Sequence, residues 1–500
     1  MMTRDPNEIG RSASSEVPDP GSPEDGSGPT VSPVPAVSPV PVDPWRPVQP
    51  KPEPRPPQPV PYREPPTRAP LPVPLRTVPP GGGAGISARG PRRADDRRVA
   101  VVAVVIAAGY LVAALVASVA SAAGAALISP WLPLHLALAG GASTAIAGVM
   151  PFFVAALAAG PPAGRVLRMS AVALVAVGAG IVSLRGIVPA ATVLPPIGGS
   201  IYLLGIGATA LAVRNAGRAG LMMRRPIVTI GYTMALFNVA VGGLLATLMV
   251  AGWQPVLEHW ARLRPAHAWT NLLGFVSLVI VATLLHFLPT VLGTRILPRR
   301  SAVIAVLGLA MGVPIVVVGL LLGWAAVAGG GALLALAGAL AMALEAVLVV
   351  RDRGHWTSDP GWHRFASVGL LAGVAWFVLG VGLAAWLVLA YGASGDAWST
   401  VVVGAPLVLG WVAQVLMASW THLLPSIGPG GPVDHARQRA ILGRVSAPRL
   451  LALNVGVALV AVGWPLGIGG AAMAGAGLVT VALLGTVALT VLALRVPRSA

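Results

Sequence analysis

Four histidines of this sequence fall inside stretches almost free of charge: His135, His267, His286 and His422. A neutral imidazole in such surroundings is a ligand for haem iron or copper, and two facing one cavity make an axial pair. Each also has a simpler role open to it, a hydrogen bond to a nearby backbone carbonyl or a place at the headgroup level of a bilayer. Asn271 follows His267 at i+4, so a helix would put both on one face. His267 and His286 are 19 residues apart on the same run (286 − 267). That is roughly 28 Å of helix, so they cannot share one metal. The other polar candidates within apolar runs are Gln414, Glu345, Asn238 and Asn454. Polar side chains are costly at membrane depth, so each is a candidate for function.

The histidines are regularly spaced. With Gly274 as zero, Ser277 stands at +3, Ile280 at +6, His286 at +12 and Pro289 at +15. From Gly410, Leu416 is at +6, His422 at +12 and Pro425 at +15. From Gly140, Ser143 is at +3, Ile146 at +6 and Phe152 at +12. The three glycines are 134 and 136 residues apart (274 − 140 and 410 − 274), which predicts a chain of three related units. Equal offsets give His286 and His422 equal depth near the inner surface. His135 and His267 fall near the outer one. Two pairs follow, one on each side.

What must position these residues is a set of membrane helices. The chain has 500 residues, 55% of them hydrophobic and only 10% charged, with a mean hydropathy of +0.79. Long uncharged runs at that level predict transmembrane helices. Twelve are expected, near 99–122, 131–158, 168–187, 191–213, 226–252, 268–294, 301–324, 328–350, 365–391, 397–424, 447–468 and 472–495. They group by fours into units at 99–213, 226–350 and 365–495, with the histidine motif on the second helix of each. The fold class is thus an all-α polytopic bundle. Gln254–Pro265 reads as a short amphipathic helix on the outer surface, with Trp253 and Trp260 at headgroup level. AGPPAG after the second helix and GPGGPVDH after the tenth read as loops, and His259, His355, His363 and His435 as solvated.

The net charge of +17 does not point to nucleic acid, because the arginines sit in short loops between apolar runs. Alternate loops hold Arg165 and Arg168, Arg214 and Arg218, Arg295 to Arg300, Arg351 and Arg353, and Arg437 to Arg449; the opposite loops hold only Arg185, Arg262 and Arg264. The bias predicts a plasma-membrane protein with both termini cytoplasmic. Residues 1–95 are rich in Pro, Ser and Gly and predict a disordered tail with local polyproline II, open to a protein partner that reads proline motifs. MMTRDPNEIG has no apolar core, so no cleavable signal is expected. Cysteine is absent, which excludes disulfides, thiolate metal sites and a cysteine nucleophile. No run carries a carboxylate pair of the kind that couples transport to protons.

Twelve helices in three fours, with histidines on the second helix, resemble subunit I of the haem–copper oxidases. The chain is more similar still to the NnrS family of haem- and copper-containing membrane proteins, in which a tryptophan–histidine stretch opens the second helix and a glycine follows five residues later. Trp131, His135 and Gly140 match that spacing, and HAWTNLLGFVSLVIVATLLHFLPTVLGTRI resembles actinobacterial membrane regions of copper-oxidase type. The resemblance covers about residues 99–495. It implies haem b or copper as cofactor, with His135, His267, His286 and His422 as ligands. The oxidases carry a double histidine after the sixth helix and a histidine-x-histidine on the tenth; here the first is missing and the second is His422 alone. The expectation is a haem or copper site in electron transfer, metal handling or nitrogen-oxide response, without an oxygen-reducing centre. A small-solute permease and a non-catalytic assembly partner are the alternatives.

Overall fold

The computed structural model describes residues 90–122, 128–129, 131–157, 161–188, 190, 192–218, 226–353, 361–427 and 430–496. Most of the proline-rich tail, and His355, lie outside them. Among the described residues there is no strand, and twelve helices are long and apolar enough to cross a membrane. In lipid the backbone has no water to bond to, so an apolar run must satisfy its own amides as a helix. The spans are Arg98–Ser121, Trp131–Leu157, Arg165–Gly186, Leu194–Gly217, Ile227–Val250, Trp260–Val291, Arg300–Leu322, Ala325–Arg351, Gly361–Tyr391, Gly395–Ser426, Ser446–Gly463 and Gly469–Leu494. They are numbered one to twelve below. The helix of span one begins at Gly90, so it takes in the last residues of the expected tail.

Spans two, six and ten are each broken by a π-helical stretch, at Leu136–Ala142, Trp269–Ser277 and Ala405–Ala413. Each holds one of the motif glycines, Gly140, Gly274 or Gly410. Against each glycine lies a large side chain from the preceding span. A Cβ on Gly140 would run into the Tyr110 ring, one on Gly274 into Asn238, and one on Gly410 into Trp376. The wide turn and the missing Cβ together make room for that side chain. The serines three residues on accept bonds from other spans. Tyr202 Oη–H donates to Ser143 Oγ at 2.9 Å, and Trp411 Nε1–H to Ser277 Oγ at 3.1 Å.

Third and fourth helices pair through small residues. Spans seven and eight meet at Gly308 and Gly338, and spans eleven and twelve at Gly456 and Gly475. Without a hydrophobic drive between helices in lipid, such close approach supplies the packing energy. Span six is the most enclosed, 83% of its apolar window being buried. Trp269, Phe275 and Trp411 fill the core around it, and Phe377 stacks on Trp411 with centroids 4.5 Å apart.

Three expectations need correction. The segment after Gln254 is not one surface helix: Gln254–Leu257 is a single turn, and Trp260 onward runs straight into span six. GPGGPVDH is not all loop, because Pro432–Leu442 is a helix that begins with proline in its first turn. Span nine begins at Gly361 and not near 365, so His363 is not solvated: it is buried, its Nε2 lying 2.6 Å from the Val291 carbonyl oxygen.

Candidate functional site

His135 ends the short α-helical turn Trp131–His135, just before the first π stretch, and His267 stands just before the second. The two π stretches pack on each other. This brings the rings together with centroids 6.2 Å apart and planes 7° from parallel. Each ring is oriented through Nδ1. His135 Nδ1–H donates to the Trp131 carbonyl at 2.9 Å, and His267 Nδ1–H to the Gly242 carbonyl at 3.1 Å. A carbonyl only accepts, so both contacts require the proton on Nδ1 and leave Nε2 as the lone pair; the Asn271 amide nitrogen, also 3.1 Å from His267 Nδ1, competes for the other tautomer of that ring. This is how backbone groups commonly fix the tautomer of a ligating histidine.

The surrounding residues hold that arrangement. Trp131 stacks on His135 with centroids 3.8 Å apart. Asn271 shares the face of His267, as the i+4 spacing requires, and its amide donates to the His267 carbonyl at 2.8 Å. Gly242 serves twice, because its carbonyl takes the His267 proton and a Cβ there would run into the Asn271 amide.

Two imidazole nitrogens at about 2.0–2.1 Å on opposite sides of one metal would set the ring centroids roughly 6 Å apart. The observed 6.2 Å is of that order. Among the described residues no group of three or more His, Cys, Asp or Glu side chains converges on a point. A metal held here would therefore have two protein ligands. That suits an axially ligated haem iron or a low-coordinate copper, and not tetrahedral zinc or an oxygen-ligated calcium.

The inner histidines are arranged differently. His422 lies against Phe287, Trp362 and His363, with centroids 5.7, 5.7 and 6.1 Å away. His286 stands at the same offset on span six. The start of span nine, carrying Trp362 and His363, packs on His422. His259 is exposed, and His435 is half-buried on the helix 432–442.

The remaining polar candidates bind other parts of the fold. Glu345, 3% exposed, accepts from Arg299 Nη1 at 2.7 Å and Ser301 Oγ at 2.5 Å. Arg299 reaches Asp352 with its other nitrogen. Gln414 Nε2 donates to the Gly369 carbonyl at 3.1 Å, and Asn238 Nδ2 to that of Gly274 at 3.1 Å. Asn454 Oδ1 accepts from Trp376 Nε1–H at 2.9 Å. The residues that sequence reasoning passed over are Gly242 and the stacking role of Trp131. Only the i−4 spacing of Trp131 before His135 carried a signal for the latter. No protein-family model matches the chain, and no curated protein matches it.

Proposed function

We propose that this multi-pass membrane protein holds one redox-active metal, copper or the iron of a b-type haem, between His135 and His267, and serves in electron transfer or metal handling. The observation that carries the reading is the pair of parallel rings 6.2 Å apart, each with Nδ1 within hydrogen-bond distance of a backbone carbonyl. A metal bound there would supply one-electron chemistry or a transfer point for the ion. The chain's own part is to orient the two rings through the Trp131 and Gly242 carbonyls, cover one face with Trp131 and brace the turn with Asn271. The resemblance to haem–copper oxidase subunit I and to the NnrS family supports the same reading, as does the placement of both histidines on second helices. The missing double histidine argues for a site without oxygen reduction. The arginine-rich end of the bundle, with both chain termini, is taken as cytoplasmic.

The deciding experiment is an absorption spectrum of detergent-purified protein, oxidised and dithionite-reduced, with metal analysis on the same sample. A Soret band that shifts on reduction assigns haem iron. About one copper per chain without a Soret band assigns copper. A colourless, metal-free protein after expression with both cofactors supplied overturns the reading, and a permease or assembly partner takes its place.

A further inference from the structure

The helix Pro432–Leu442 lies across the end of the bundle, packed on spans nine, ten and twelve. Between it and the first turn of span nine opens a cleft of about 510 Å³. Gly361, Trp362, Arg439, Ala440 and Arg444 line it, so among the described residues its charged side chains are cationic. The Arg439 guanidinium sits over the Trp362 ring, 5.1 Å from its centroid, and its Nε is buried with no hydrogen-bond partner. Arg444 is exposed. Neither forms an ion pair among the described residues. The one carboxylate on this helix, Asp434, is buried and accepts from the Gly431 N–H at 2.9 Å.

Behind the cleft the same imbalance recurs. Arg449, 5% exposed, lies over the Phe365 ring at 4.2 Å and donates to the Leu442 carbonyl at 2.6 Å and Thr486 Oγ1 at 3.2 Å. All of those partners are neutral. Burying a cation without a counter-charge is costly, and arginine pairs most strongly with the planar faces of carboxylate and phosphate. A cationic pocket between membrane helices at the water boundary is also a common seat for a lipid headgroup.

We propose that this cleft binds a phosphate ester, with Arg439 and Arg444 as its donors and Trp362 as its apolar wall. Its place at the ends of three spans is headgroup depth, where an anionic phospholipid would present that group. A soluble phosphate carries the same chemistry. The site lies at the opposite end of the spans from His135 and His267 and does not rest on the metal reading.

The test is a titration of full-length protein in neutral detergent with phosphatidylglycerol, phosphatidylcholine or inorganic phosphate. Bound ligand is counted by native mass spectrometry, and the thermal midpoint is read in parallel. Phosphatidylglycerol is expected to bind one per chain and to raise the midpoint more than phosphatidylcholine does. Arg444→Gln should weaken it roughly fivefold, and the double variant with Arg439→Gln roughly 25-fold. Arg437→Gln, on an exposed side chain outside the cleft, should change nothing. Protection by inorganic phosphate with the same variant dependence upholds the site and assigns it to a soluble ligand. Equal binding of both lipids, or equal weakening by Arg437→Gln and Arg444→Gln, overturns the proposal. Arg444 is exposed, so the comparison with Arg437 stands even if the double variant does not fold.

Discussion

Trp376 packs on the bare Cα of Gly410, and its Nε1–H donates to Asn454 Oδ1 at 2.9 Å. The relation has a counterpart at the other end of the chain. Tyr110 packs on Gly140, and its hydroxyl donates to the Ala176 carbonyl at 2.6 Å. In both, a side chain of a first helix crosses the π stretch of the second and ends on the third. Asn238 fills the same place on Gly274, but bonds to the Gly274 carbonyl itself. The motif glycines are therefore sockets.

Gly410→Ala tests the socket. The indole it would displace is tied to Asn454 and cannot yield cheaply. Overpacking of this kind costs about 1–3 kcal/mol, so the variant should lower the thermal midpoint in detergent. Gly477→Ala, where a Cβ meets nothing, should leave it unchanged or raise it slightly through helix propensity. Equal effects would mean the glycine is not a socket.

The fold was legible because hydropathy sums over twenty residues and tolerates errors of a few. The twelve spans fall where the apolar runs do, though span six starts at Trp260 because WARLRP continues the helix without a break. The site was legible only in part. Offsets from Gly140 and Gly274 gave depth, and His135 and His267 do meet. Depth says nothing of the direction a side chain takes around the helix axis, and the π stretches shift that direction within a turn. The neighbours of His422 are Phe287, Trp362 and His363, which no offset along span ten could give. His363 was missed because a four-residue error at the start of span nine moved it from loop to helix.

Metal content should separate the outer histidines from the inner ones. His135→Ala and His267→Ala are each expected to abolish the bound metal or Soret band, since a two-ligand site does not survive on one. His422→Ala should keep it. Loss in His422→Ala alone would move the centre to the inner side.

Gly242→Ala probes the orientation of His267 without touching a ligand. The new Cβ would push against the Asn271 amide, which is bonded to the His267 carbonyl. The expected result is weaker metal retention, by roughly tenfold or more as for other partners behind a ligand, with the spans intact by circular dichroism. Asn271→Leu should act in the same direction. If both variants bind metal as tightly as the parent, the Gly242 contact does not orient the ring.

The buried pair Arg299–Glu345 should behave as a clamp between the start of span seven and the end of span eight. Removing one partner leaves the other charged in a nearly closed site, which costs about 3–5 kcal/mol. Arg299→Met should therefore lower the thermal midpoint sharply, all the more because Asp352 also loses its cation. Glu345→Gln keeps the shape and the Ser301 contact, and the double variant Arg299→Met/Glu345→Gln should regain part of the loss, since no unpaired charge then stays buried. A double-mutant cycle read by thermal unfolding measures the coupling. Coupling near zero would show that the pair is dispensable, and that Ser301 and the packing of spans seven and eight hold this end of the bundle.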